Sequence, residues 1–369
     1  MYLREAIRYN FVANVGKTPG IRFFSLYLPA IMIIVNKSTM KIGAKAFLSF
    51  LLCVGMSLLS ACGEGARGVR VLKLAHGLPP NHSVHQGLLY MGERLEAISD
   101  GRMRLDIYAS AQLGSENQCV ELLQIGSLDI TKVSSAALEG FADPFKVFGI
   151  PYLFSSREQY YKVLEGPVGQ RILESTEPYW FRGLAYFDSG TRSFYTVNKP
   201  VREPADLRGM KIRVQKSPIA VEMMRVFGGS ATPVDWGELY TALQSNVVDG
   251  AENNPPSVTT AFHHEVIHYY SVNEHTMCPD VLIVSLATWK KLSEREREWL
   301  RRAADEAAVY QRRLWAEQER ESLEEMRARG VEIIYPDKRP FEEAAAPMIE
   351  RYKADPVFHD LIEQIQHTR

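Results

Sequence analysis

The seven residues LQIGSLD at 123–129 return 120 positions later as LQSNVVD at 243–249. Each copy ends a helical stretch, at Gly126 or Asn246, and enters a short apolar strand. The strands then exit through polar residues, Ser134-Ser135 in one copy and Glu252-Asn253-Asn254 in the other. A repeated helix–strand unit in matching context constrains the chain to two similar lobes. The flanks of the first copy agree. RVLKLAHG and MRLDIYAS read as strands, HSVHQGLLYMGERLEAISDGR as a helix stopping at Gly101, ENQCVELLQIG (116–126) as a second helix, and SLDITKVSS as a third strand. Strand–helix–strand alternation gives an α/β class. With 369 residues, 46% of them hydrophobic, the chain can bury two cores.

In α/β sheets ligands collect beyond the carboxyl ends of strands, so two lobes with polar strand exits predict a cleft between them. In MKIRVQ (210–215), Lys211, Arg213 and Gln215 share one strand face, and Ile212 and Val214 the other. Asp235-Trp236-Gly237-Glu238 has a capping-box pattern, which places Trp236 in the first turn of a helix beside that strand end. Ser293 with Glu296 predicts another capped helix, free of Pro and Gly until Gly330. At 1.5 Å per residue it is roughly 50 Å long, enough to lie across both lobes. Its charged run EREREWLRRAADEA reads as a solvated face.

Charge is distributed unevenly. Seven of the 43 basic residues but only one of the 44 acids fall in residues 1–61, leaving 36 basic against 43 acidic residues. An acidic body without a basic stripe argues against nucleic acid as partner. From Met40 the chain runs MKIGAKAFLSFLLCVGMSLLSAC, in which Lys41 and Lys45 precede an apolar stretch at 46–59. That is the form of a secretory signal. Its end, Leu59-Ser60-Ala61-Cys62, resembles a bacterial lipoprotein box. Residues 40–61 are therefore expected to be a lipoprotein signal peptide and Cys62 the lipidated residue. Residues 62–69 would be a tether, and residues 1–39 an extension ahead of the true start at Met40. Cys119 and Cys278 are the two cysteines left for the body, and their spacing makes neither a redox motif nor a zinc cluster. Sequence leaves open whether they pair.

HEVIH at 264–268 presents the H-E-x-x-H arrangement of zinc peptidases, two histidines four apart on a helix with a glutamate between them. A secreted metallopeptidase is the alternative from another class. A working site needs a third ligand and an open coordination position. The extended metzincin form is absent, because Tyr269, Tyr270 and Ser271 follow His268 and the next histidine is His275. The reading preferred here is a scaffold helix with Phe262, Val266, Ile267 and Tyr270 as its buried stripe, and no metal or other cofactor.

The chain resembles the solute-binding proteins of TRAP transporters, the tripartite ATP-independent periplasmic family, over nearly all of residues 70–345. The likeness is carried by AQLGSENQCVELLQIGSLDI, SSAALEGFADPFKVFGIPYLF, GTRSFYTVNKPVREPADLRGMKIRVQKSP and TPVDWGELYTALQSNVVDGAENNPPS. It implies a two-lobed fold of the periplasmic-binding-protein kind, each lobe a mixed sheet flanked by helices, with a long helix spanning both. Lobe I would hold 70–189 and about 279–318, lobe II about 190–278 and 319–369. It implies a periplasmic protein that performs no turnover. It would close by a hinge on an organic acid and deliver it to the small and large permease subunits, its membrane contact running through the lipid on Cys62. By the family pattern Arg213 clamps the ligand carboxylate, where a guanidinium offers a planar fork to both oxygens. Arg192 and Asn253 add contacts, Trp236 walls the cleft, and Ser134 and Ser135 contribute from the first lobe. His76, His82 and His85 are further candidates, as neutral imidazoles able to bond hydroxyls.

GAENNPPS, Trp236 and the histidine-rich first helix look most like members that take up sugar acids such as glucuronate or galacturonate. Neutral hydrogen-bonding groups and an indole face suit a sugar ring. Arg192 and Arg213 together would equally hold the two ends of a C4-dicarboxylate, and that alternative stays open at this point.

Overall fold

The computed structural model describes residues 68–368. The expected signal peptide, Cys62 and the extension at 1–39 lie outside the described residues. The chain begins with β1 (Arg70–Ala75), α1 (Ser83–Ile98), β2 (Met103–Tyr108), α2 (Glu116–Gln124), β3 (Ile130–Ser134) and α3 (Ser135–Leu138). It continues through α4 (Arg157–Glu165), α5 (Pro167–Glu174) and β4 (Phe181–Phe187), then crosses to β5 (Arg192–Thr196). A second run follows: β6 (Lys211–Val214), α6 (Pro218–Val226), β7 (Ser230–Pro233), α7 (Leu239–Gln244), β8 (Gly250–Asn253) and α8 (Pro255–Thr260). The chain closes with β9 (Tyr269–Thr276), β10 (Asp280–Ser285), α9 (Leu286–Lys291), α10 (Glu294–Ala328), β11 (Glu332–Ile334), α11 (Arg339–Ala354) and α12 (Pro356–His367).

The strands form two sheets, ordered β2-β1-β3-β10-β4 and β11-β9-β5-β8-β6-β7. In the first, β1 pairs in parallel with β2 and β3. In the second, β6 pairs in parallel with β7 and β8. Both sheets thus contain the same strand–helix–strand–helix–strand unit with its first strand central, as the repeated heptapeptide predicts. Each unit is extended by an antiparallel neighbour, β10 beside β3 and β5 beside β8. The carboxyl ends of the parallel strands, where side chains are free of the ladder, therefore lie beside the start of an incoming strand in both lobes.

Helix starts follow local chemistry. His82 caps α1 through Nδ1, which accepts from Val84 N, and Val84, Leu88, Met91 and Leu95 form the helix's buried stripe. Ser115 with Gln118 and Ser293 with Glu296 form complete capping boxes on α2 and α10. The 35-residue α10 ends beside Gly330, whose φ of +87° suits only glycine comfortably. Its buried stripe, from Leu300 through Ala303, Ala304 and Ala307 to Trp315, packs on the first lobe, and Met326 packs on the second. Gln311 receives the Asp188 N–H at 2.8 Å and donates to the Asp188 carbonyl at 2.9 Å, pinning the crossing segment to this helix. Two positions on, Gly190 has φ +57°, and a Cβ there would lie 2.8 Å from Trp315 Nε1. α12, assigned to the second lobe from sequence, buries Phe358, Leu361, Ile362 and Ile365 in the cluster on one face of the first sheet.

Three expectations are corrected. Asp235 forms no side-chain cap; residues 236–238 make a single 3-10 turn before α7. The Asp235 carboxylate is held instead by Lys216 at 2.8 Å. HEVIH is not a helix either: 263–265 is one 3-10 turn, and the chain then enters β9. The His268 N–H bonds the Thr196 carbonyl and its own carbonyl accepts from Glu332 N, so the sheet has claimed the backbone that a helix would need. His264 is buried while His268 is exposed, and Phe262, placed on the buried stripe from sequence, is 55% exposed. Among the described residues no group of three or more His, Cys, Asp or Glu stands where it could hold a metal ion. Cys119 and Cys278, left open above, are both free and buried.

Candidate functional site

A cavity of about 280 Å³ lies between the strand ends of the two sheets. Arg213, Arg192, Asn253, Trp236, Ser134 and His82 all line it. Ser135, His76 and His85 do not. Ser135 is fully buried with no partner for its hydroxyl, and its N–H bonds the Pro279 carbonyl. His76 Nδ1 accepts from Leu78 N, so Nε2 carries the proton and donates to His85 Nδ1 at 2.9 Å. Burial, with Lys132 adding to it, holds the His76 pKa down to about 2. His82 is pushed down to about 3 by the same two causes, and its Nε2 stands 3.4 Å from Ser257 Oγ across the cleft. Ser134 also bridges the lobes, donating to Gln215 Oε1 at 3.4 Å.

The two arginines have different surroundings. Arg192, at the start of β5, gives Nε to Glu252 Oε2 at 2.5 Å and Nη2 to Glu252 Oε1 at 2.9 Å. Its Nη1 donates to Asn253 Oδ1 at 2.8 Å, and Nη2 also reaches the Glu252 carbonyl. Burial alone would raise the Glu252 carboxyl, but Arg192, with His275 Nε2 standing 3.5 Å away, brings it down to about 2. Arg192 is a neutralised cation. Arg213, on β6, is 3% exposed and, among the described residues, donates only Nε, to the Val234 carbonyl at 2.8 Å. Its Nη1 is buried with no partner among the described residues, and burial pulls its pKa below the ordinary arginine value. The Trp236 ring lies 5.7 Å from its guanidinium carbon, within cation–π range. A buried guanidinium with a free edge lacks a paired counter-charge, which an anion in the cavity would supply.

Asn253 spends its Oδ1 on Arg192 and on Asn254 N, which leaves its amide nitrogen facing the cavity without a partner among the described residues. Asn254 caps α8 by accepting from Ser257 N. From the first lobe the cavity receives Glu116, Lys132 and Asp280, which the sequence reading did not select. Lys132 Nζ is 3.1 Å from Asp280 and 3.7 Å from Glu116. A signal for them existed. Lys132 interrupts the apolar strand DITKVSS, and at the 120-residue offset it falls opposite Glu252. A charge inside a buried strand demands a partner.

The comparisons with known proteins agree with this geometry. The model of the bacterial extracellular solute-binding proteins, family 7 (DctP), matches residues 74–355. A Salmonella typhimurium protein, YiiZ, is 35% identical over 322 residues, 87% of this chain and 98% of its own. A TRAP periplasmic solute-binding protein from Anaerococcus prevotii, solved with bound α/β-D-glucuronate, is 39% identical with a TM-score of 0.78, covering 80% of this chain and 97% of that one. Another from Xanthobacter autotrophicus, with bound β-D-galacturonate, is 36% identical with a TM-score of 0.78, covering 81% of this chain and 100% of that one. With the two-lobed fold and the inter-lobe cavity in place, the chain belongs to the family 7 extracellular solute-binding proteins, the solute-binding component of TRAP transporters.

Proposed function

We propose that this protein captures a hexuronate, glucuronate or galacturonate, by pairing its carboxylate with Arg213, and hands it to the membrane subunits of a TRAP permease for sodium-coupled uptake. The carrying observation is the free, buried edge of Arg213 in a polar cavity. Three other cations line that cavity, and each has a carboxylate: Arg192 has Glu252, Lys132 has Asp280, and Lys216 has Asp235. One uncompensated cation suits one carboxylate. A second carboxylate is best held by a second free cation, and Arg192 is already engaged by Glu252, which favours the sugar acid over a C4-dicarboxylate. The two solved relatives, with glucuronate and galacturonate bound, support the same choice.

Asn253, Ser134 and His82 supply neutral partners for hydroxyls, and Trp236 an apolar face for ring C–H groups. Ser257 and Gln215 of one lobe already reach His82 and Ser134 of the other, so ligand contacts to both sides favour closure. Export to the periplasm and a lipid on Cys62 belong to the same proposal. Calorimetry against uronates, aldonates and C4-dicarboxylates tests it. A uronate should bind, and Arg213→Ala should weaken it by roughly 30-fold or more, since truncating one member of a buried charge pair costs about 2–5 kcal/mol. Retention of affinity in Arg213→Ala, or no stabilisation by any sugar acid, would sink it.

A further inference from the structure

The cavity has a second pole, opposite in sign to Arg213. Glu116 opens α2, Lys132 lies on β3, and Asp280 begins β10. Lys132 is 2% exposed and its one positive charge stands between two carboxylates, so this wall carries surplus negative charge. Glu116 is fixed in place: its Oε1 accepts the Ser134 N–H at 3.0 Å and faces Lys132. Its Oε2 has no partner among the described residues, and the side chain keeps 22% of its surface open, on the cavity. Across the same cavity stands the buried Arg213 with its unpartnered Nη1. Among the described residues the site is therefore polarised, with an unpaired cation, Arg213, on lobe II and, on lobe I, two carboxylates sharing one lysine, of which Glu116 is the more open to the cavity.

We infer that Glu116 determines specificity: it accepts hydrogen bonds from hydroxyls at the sugar end of the ligand and turns away acids that carry a second carboxylate there. The inference rests on the reading that Arg213 takes the ligand's carboxylate. An ionised carboxylate only accepts, so it pairs well with the O–H donors of a sugar. A second carboxylate brought to the same place brings acceptors against acceptors and charge against like charge. D-Glucarate differs from the acyclic form of D-glucuronate in that terminal group alone, which makes the two acids a direct probe of this wall.

The experiment is calorimetric titration of the full-length protein with D-glucuronate, D-galacturonate and D-glucarate, for the native sequence, Glu116→Gln and Glu116→Asp. Glutamine keeps an oxygen for Ser134 N–H while removing the charge. Aspartate keeps the charge and withdraws it from the ligand. The native protein should prefer its uronate to glucarate by tenfold or more. Glu116→Gln should lose about tenfold or more in uronate affinity, as expected for a hydrogen bond to a charged group, and its preference over glucarate should shrink. Glu116→Asp should lose uronate affinity and still reject glucarate; thermal melts without ligand verify that both variants fold, and either alone decides the matter. Uronate binding that is unchanged in both variants, or glucarate binding as tight as uronate binding in the native protein, overturns the inference. Failure of the native protein to bind any uronate overturns the underlying reading instead.

Discussion

Lys132 on β3 faces Leu282 of β10 in register and reaches diagonally to Asp280. Glu252 on β8 faces Phe194 of β5 and reaches diagonally to Arg192. The two ion pairs occupy equivalent places in the repeated unit, with the same two-residue diagonal and the signs exchanged. In lobe II the pair is bidentate and closed, so the cation that remains for a ligand is Arg213, from a different strand. In lobe I a third group, Glu116, leaves the balance negative. Each lobe thus holds a buried diagonal charge pair at its strand end, with the signs exchanged across the cleft.

The largest effect should come from breaking the closed pair. Arg192→Ala leaves Glu252 buried opposite a neutral imidazole, and breaking a buried pair from one side costs about 3–5 kcal/mol. Urea unfolding without ligand should show that loss, and Arg192→Met with Glu252→Leu should recover most of it. Arg213→Ala is the counterpart. It removes a cation with no counter-charge, so the ligand-free protein should melt at the same temperature or higher. A similar destabilisation by both substitutions would erase the distinction between the closed pair and the open cation.

Acid should act on both lobes through imidazoles buried in the neutral form. His76 and His82 in lobe I are held down to about 2 and 3, and His263 in lobe II to about 3, each chiefly by burial. Their folded values lie below the unfolded value, so their contribution is complete above about pH 6.5 and is lost as pH falls toward the folded values. Between pH 7 and 5 each removes about 2 kcal/mol of stability. His82→Asn keeps an acceptor to cap α1 and removes one titration, so its stability should fall less steeply over that interval. Parallel pH curves for the two proteins would contradict the burial argument.

The parallel units were legible because hydrophobic period, helix stops and the heptapeptide all point to one arrangement. Arg213 was legible from its strand pattern within long ordered motifs. What stayed hidden depends on contacts made at a distance. Glu116 and Asp280 meet Lys132 from segments that no local pattern joins. HEVIH satisfies a helical motif in five letters, yet Thr196 and Glu332 capture the backbone of His268 into a sheet. Histidines read as one group divide by packing: His82 reaches the cavity, while His76 and His85 bond each other.

The smallest expected effect contrasts two helix starts with the same capping-box spacing. Ser293 with Glu296 forms a reciprocal cap on α10, but Asp235, three before Glu238, makes no cap because Lys216 takes its carboxylate. Ser293→Ala removes an acceptor from the first turn of the helix that joins the lobes, at a cost of about 1 kcal/mol. Asp235→Ala removes only a partly exposed ion pair, worth at most about 1 kcal/mol and screened by salt. Urea midpoints in low and high salt separate the two. The Ser293→Ala loss should persist in 1 M salt, whereas any Asp235→Ala loss should vanish there. An Asp235→Ala loss that survives high salt would mean that the carboxylate caps α7 after all, and that the sequence pattern had been read correctly at both sites.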